Sequence, residues 1–189
     1  MARYAVGVST PTVIIIPGNG GCTPADAWYP WVERELTDAG LRVINEPFPD
    51  AFKARARYWL PFLTELGADA NTILVGHSSG AVAAMRYAEQ HRILGSVLVG
   101  VCHTDLGDGF ERQSGYYNAL WQWDTIASNQ QIIGVFHSTD DPHIPVGEAR
   151  HVAARLRASY REYTDRGHFL DRQLPELVDF ILSRCTLRN

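Results

Sequence analysis

The stretch Thr72-Ile73-Leu74-Val75-Gly76-His77-Ser78-Ser79-Gly80-Ala81-Val82-Ala83-Ala84-Met85 decides the fold. Its first four residues are a short apolar run, the pattern of a buried strand. From Ala81 to Glu89 the residues are strong helix formers. A strand that runs straight into a helix needs a very tight turn, and that turn pushes one side chain out above the sheet. Here the side chain is Ser78, and the glycines on either side leave room for the crowded backbone. This is the setting in which G-x-S-x-G acts as a nucleophile elbow. Elsewhere the same five residues are a turn whose serine merely caps a helix.

Working outward, short apolar runs alternate with helical patterns. Strands are expected at Thr12 to Ile16, Leu41 to Glu46, 72–75, Ser96 to Val101, Ile132 to Phe136 and Tyr160 to Tyr163. Helices are expected at about Trp28 to Ala39, at Phe52 to Leu66 with a break at Pro61, after the elbow, and near 121–128, 146–158 and 170–183. The alternation argues for α/β architecture: a mostly parallel sheet of about six strands with helices on both faces. The least regular segment, Cys102 to Tyr117, is a long loop of the kind that often carries function.

Ligands of open parallel sheets bind outside the carboxyl ends of the strands. After the first strand comes Pro17-Gly18-Asn19-Gly20-Gly21; after the third, Ser78; after the fifth, His137-Ser138-Thr139-Asp140-Asp141-Pro142; after the sixth, Gly167-His168-Phe169. Ser, Asp and His thus reach one rim in the order found in α/β-hydrolases. A serine hydroxyl needs a base to take its proton as it attacks. An imidazole with a pKa of about 6.5 can accept that proton and return it to the leaving group. A buried carboxylate fixes the imidazole tautomer. The charge that develops on the carbonyl oxygen needs preorganised donors. The backbone N–H of Ser79 and one near Asn19 are the candidates.

Rival readings exist at each point. Asp140 competes with Asp141, and Asp140-Asp141-Pro142 is also ordinary turn chemistry. His137, Asp140, Asp141 and His143 could imitate a metal site, but no second ligand cluster accompanies them. Gly18-x-Gly20 hints at a dinucleotide loop, yet Thr23 stands where its third glycine belongs. The reading requires no cofactor and no metal.

Composition sets the remaining limits. The 189 residues are 46% hydrophobic and 20% charged, which suits one soluble domain over 1–189. A net charge of -4 without a dense basic run argues against a nucleic-acid partner. Three scattered cysteines, Cys22, Cys102 and Cys185, form no disulfide framework. Residues 1–9 lack a secretory pattern, and no run approaches the length of a membrane span. A cytoplasmic location is the default expectation.

With these residues in place, the chain resembles the small serine hydrolases of the retinoblastoma-binding protein family, a compact branch of the α/β-hydrolases. The likeness rests on PGNGG at 17–21, WYPWV at 28–32, RYWLPFL at 57–63 and GHSSGAVAAMRYAEQHR at 76–92. It continues in DLGD at 105–108, SGYY at 114–117, WQW at 121–123, STDDP at 138–142 and GHF at 167–169. The resemblance implies a triad of Ser78, Asp141 and His168, and a compact α/β-hydrolase fold with no large cap domain. The vertebrate member carries an L-x-C-x-E segment linked to the retinoblastoma pocket. Here Leu66-Gly67-Ala68-Asp69-Ala70 has neither the Cys nor the Glu, so that partner does not carry over.

The expected substrate is a small ester, an amide or a short peptide. Gly20, Tyr116 and Trp121 are its candidate contacts. The aromatic residues at 116–123 either wall an apolar acyl pocket or pack the long loop onto the domain. The alternative function is a catalytically idle hydrolase scaffold that binds a protein or ligand.

Overall fold

The computed structural model describes residues 10–186; the stretch 1–9, read above for a secretory pattern, lies outside them. Six strands form one all-parallel sheet: β1 (Thr12–Ile16), β2 (Arg42–Ile44), β3 (Thr72–His77), β4 (Gly95–Val99), β5 (Ile132–Ser138) and β6 (Ser159–Tyr163). Their spatial order is β2-β1-β3-β4-β5-β6. The helices are α1 (Tyr29–Asp38), α2 (Ala56–Glu65), α3 (Ser79–Ala88), α4 (Gly109–Ser114), α5 (Trp123–Ser128), α6 (Val146–Leu156) and α7 (Pro175–Thr186).

Strand side chains alternate between two cores, as the two-residue period demands. Ile14, Ile16, Leu74, Leu98 and Val135 pack with α2, α3, α5 and α6 on one face. Val13, Ile15, Ile73, Val75, Val97, Val99 and Phe136 pack with α1 and α7 on the other. Both faces are covered, so the strands read as continuous apolar runs.

The pairing levels the strand ends. Ile16 lies opposite Gly76, His77 opposite Val99, Val99 opposite Phe136, and Ser138 opposite Tyr163. The loops after β1, β3, β5 and β6 therefore leave from one rim. The chain order reverses between β1 and β3, which makes their crevice the topological switch point.

Three expectations differ, two of them in α2. The helix expected from Phe52 begins only at Ala56. Asp50 and Ala54 adopt positive φ, and the Asp50 carboxylate accepts the Arg55 N–H and holds its guanidinium, closing a turn there. Pro61 does not break α2. It sits on the exposed side, while Trp59 and Leu63 are buried and hold the helix through the missing backbone bond. The last helix starts at Pro175 rather than at 170, because proline suits the first helical turn, where its absent N–H costs nothing.

The irregular segment after β4 contains the short α4. The Asp108 carboxylate caps it by accepting the N–H groups of Phe110 and Glu111. Asp108 with Glu111 three residues on is the cap signature that marks this helix in the sequence.

Candidate active site

Ser78 is held at φ 53° and ψ -120°, a left-handed conformation unusual for a residue with a side chain. Such a residue costs about 1–3 kcal/mol and persists only where its surroundings over-determine it. Its N–H donates to the Val99 carbonyl at 2.8 Å, and its carbonyl accepts the Ala81 N–H at 2.9 Å. The two glycines of the elbow are steric necessities. A Cβ on Gly76 would lie 2.4 Å from the Gly80 carbonyl oxygen. One on Gly80 would lie 2.3 Å from the oxygen of Ile16. The start of α3 is thus pressed against the end of β1, which brings the Gly18-Asn19 backbone beside Ser78.

His168 Nδ1 lies 2.7 Å from Asp141 Oδ2. The other Asp141 oxygen accepts the N–H groups of His143 at 2.8 Å and Ile144 at 3.1 Å. Burial pushes the Asp141 carboxyl up, but these donors outweigh it and hold the group below the ordinary carboxylate value. With the ionised carboxylate accepting from Nδ1–H, His168 Nε2 is the nitrogen free to take a proton.

Asp140 does different work. Its Oδ1 accepts the Ser138 hydroxyl at 2.5 Å and the Gly167 N–H at 2.9 Å, clamping the loop that carries His168. The hydroxyl of Ser138 in turn accepts the Arg166 N–H. His137 is buried, and its Nε2–H donates to the Ile144 carbonyl at 3.0 Å, folding the turn that presents Asp141. Of the four residues that could imitate a metal site, His137, Asp140 and Asp141 are thus committed to other partners, and the His143 ring packs edge to face against His168. Among the described residues, no three His, Cys, Asp or Glu side chains converge as metal ligands.

Ser78, Ser79, Asn19, Gly20 and His168 line one cavity of about 660 Å³. The Asn19 side chain donates to Glu111 Oε1 at 2.9 Å, and Tyr117 donates to Glu111 Oε2 at 3.1 Å. Burial raises the Glu111 carboxyl, assisted by the charge of Asp108. As the first residue of α3, Ser79 has an N–H with no helical acceptor a turn before it.

Tyr116 and Trp121 are not brought to this cavity. Arg86 of α3 accounts for both. Its guanidinium donates to the carbonyls of Tyr116 and Ala119 at 2.7 Å and lies 3.6 Å from the centre of the Trp121 ring. The long loop is reeled in onto α3; Tyr116 is buried in the core, and Trp121 lines a different groove. The cavity mouth is walled instead by Phe52, Leu106, Phe110 and Leu170, all exposed apolar residues. The rings of Phe52 and Phe110 meet edge to face, 6.4 Å between centres. Lone aromatics within polar, turn-forming stretches were the available signal for this wall, since burial cannot explain them there.

The serine hydrolase family model matches residues 13–173. The chain belongs to that family. The serine hydrolase RBBP9 of Rattus norvegicus is 45% identical over 183 residues, covering 95% of this chain and 98% of the relative. The YdeN protein of Bacillus subtilis (strain 168) is 27% identical over 92% of this chain and 96% of its own. The crystal structure of the ydeN gene product superposes with a TM-score of 0.83 at 25% identity, covering 94% of this chain and 99% of that one. This serine hydrolase thus has the fold of the α/β-hydrolases, and no described helix is long and apolar enough to cross a membrane.

Proposed function

We propose that the chain hydrolyses small acyl esters, or amides of similar size, through Ser78, His168 and Asp141. The observation that carries this reading is the His168 imidazole, bonded to a buried carboxylate on one side and opening on the other into the cavity that Ser78 shares. His168 Nε2 takes the Ser78 hydroxyl proton as the oxygen attacks the substrate carbonyl. The backbone N–H groups of Asn19 and Ser79 stabilise the oxyanion. The imidazolium then protonates the leaving alcohol or amine as its bond to carbon breaks. Water, deprotonated by the same imidazole, attacks the acyl-enzyme, and the acid leaves with Ser78 restored. The apolar wall of Phe52, Leu106, Phe110 and Leu170 favours an acyl or leaving group that is itself apolar.

A fluorophosphonate probe tests the reading: it labels the wild type and leaves Ser78→Ala unlabelled. Labelling that survives Ser78→Ala sinks the nucleophile assignment, and a wild type that never labels supports an idle scaffold. Acyl esters, aminoacyl amides and thioesters, with apolar and polar acyl groups, then rank the substrates. Turnover confined to polar acyl groups overturns the apolar preference.

A further inference from the structure

His77 stands next to the nucleophile and has no part in the proposed proton relay, yet its ring is held by two directed hydrogen bonds, and a third continues from its partner Tyr29. Its Nε2 lies 2.8 Å from the His168 carbonyl oxygen, which can only accept, so Nε2 carries the proton. A neutral imidazole then offers Nδ1 as an acceptor, and the Tyr29 hydroxyl, 2.7 Å away, is its donor. The same hydroxyl accepts the Gly18 N–H at 3.2 Å. Each link has one allowed direction. Both rings are buried, with Tyr29 1% and His77 2% exposed. Burial, and then the nearness of His168, push the His77 pKa down to about 3, so the neutral form is the one present.

The ends of this chain are the two loops the chemistry needs. Gly18 precedes Asn19, the proposed oxyanion donor. The His168 loop carries positive φ on both sides of the base, 47° at Gly167 and 55° at Phe169. Such a loop holds its shape only if it is tied from several directions. Asp140 and Ser138 tie it from the β5 side. His77 ties it from the β3 side.

We propose that Tyr29 and His77 are positioning residues, forming a buried tie from the Gly18 N–H to the His168 carbonyl that fixes the oxyanion loop and the base loop relative to Ser78. The role rests on the hydrolase reading above. It is expected to act first on catalysis, because its two ends are backbone groups of Gly18 and His168, next to the proposed oxyanion donor and base.

The test compares Tyr29→Phe with Val32→Ala, a control in the core on the same helix. Loss of the hydroxyl leaves the Gly18 N–H and His77 Nδ1 unpaired and lets both loops drift. A displacement of about 1 Å can cost about 10²-fold in rate. For an acyl ester, Tyr29→Phe is expected to lower kcat about 10- to 100-fold, with KM within about threefold of wild type. Fluorophosphonate labelling should slow in parallel. Val32→Ala, measured below its own Tm, should keep the wild-type kcat. A Tyr29→Phe rate within twofold of wild type overturns the positioning role, as does an equal slowing in Val32→Ala. A wild type that does not label overturns the hydrolase reading and this role together. If Tyr29→Phe does not fold, imidazole nitrogen NMR of the wild type at neutral pH decides: the expected tautomer of His77 has the proton on Nε2, and a proton on Nδ1 overturns the tie.

Discussion

Two adjacent aspartates separate cleanly once their partners are seen. Asp141 meets the His168 ring, whereas Asp140 meets a backbone N–H of the same loop. In the proposed reaction, Asp141→Asn removes the charge that supports the imidazolium and favours the wrong tautomer. A loss in kcat of about 10³- to 10⁴-fold is expected, by analogy with the same exchange in an unrelated serine protease. Asp140→Asn should cost about tenfold or less, since it weakens a clamp and leaves the acid in place. Steady-state turnover of one ester by both variants measures the ranking, and a reversed order moves the acid to Asp140. The sequence alone could not separate the pair, because both lie in one turn and only the path of the distant His168 loop tells them apart. Tyr116 and Trp121, expected as substrate contacts, lie away from the Ser78 cavity for a related reason. An aromatic in a long loop can face a pocket or an anchor, and the anchor, Arg86, belongs to another element.

The elbow is a joint between β1, β3 and α3, and its tolerance is set by backbone contact. Gly80→Ala would drive a methyl into the carbonyl oxygens of Ile16 and Pro17, 2.3 and 2.4 Å away. No side chain there can swing aside, so α3 must lift from β1. A stability loss of about 2–3 kcal/mol is expected, near the top of the range for overpacking. Thermal melts measure it, and a Tm within a degree of wild type contradicts the contact. Labelling should fall further than stability, because the same shift parts Ser79 from Asn19. The strands were legible to within about two residues at each end, and the central ones best, since buried parallel strands are uninterrupted apolar runs bounded by turn formers. The short α4 and the late start of α2 were harder: each is decided by one capping or turn-closing aspartate, Asp108 or Asp50, rather than by periodicity.

Across the whole molecule, burial places several histidines where protonation opposes folding. His77, His103 and His137 all have lowered pKa values, with burial as the leading cause. The folded form binds fewer protons than the unfolded chain between the two pKa values. The stability these groups contribute is therefore complete above about pH 6.5 and drains away as the pH falls toward the folded values. For His77 alone, lowered to about 3, the slope approaches about 1.4 kcal/mol per pH unit across that interval. Asp141 adds to the decline only below the ordinary carboxylate value. Urea midpoints should hold level from pH 7.5 to about pH 6.5 and then fall toward pH 5, and a profile flat down to pH 5 contradicts the buried neutral histidines.

The bond from His77 to the His168 carbonyl spans 91 positions of chain. The elbow draws on an earlier part of the chain: its tight contacts come from β1, β3 and α3, and the Val99 carbonyl of β4 completes the hold on Ser78. The proposed base, His168, lies in the loop after β6, the strand at the far edge of the sheet. During synthesis Ser78 therefore leaves the ribosome well before His168, its proposed base. A nascent or truncated chain that stops short of His168 lacks the proposed base. In the proposed reaction, acyl transfer therefore depends on residues that lie beyond the last strand of the sheet.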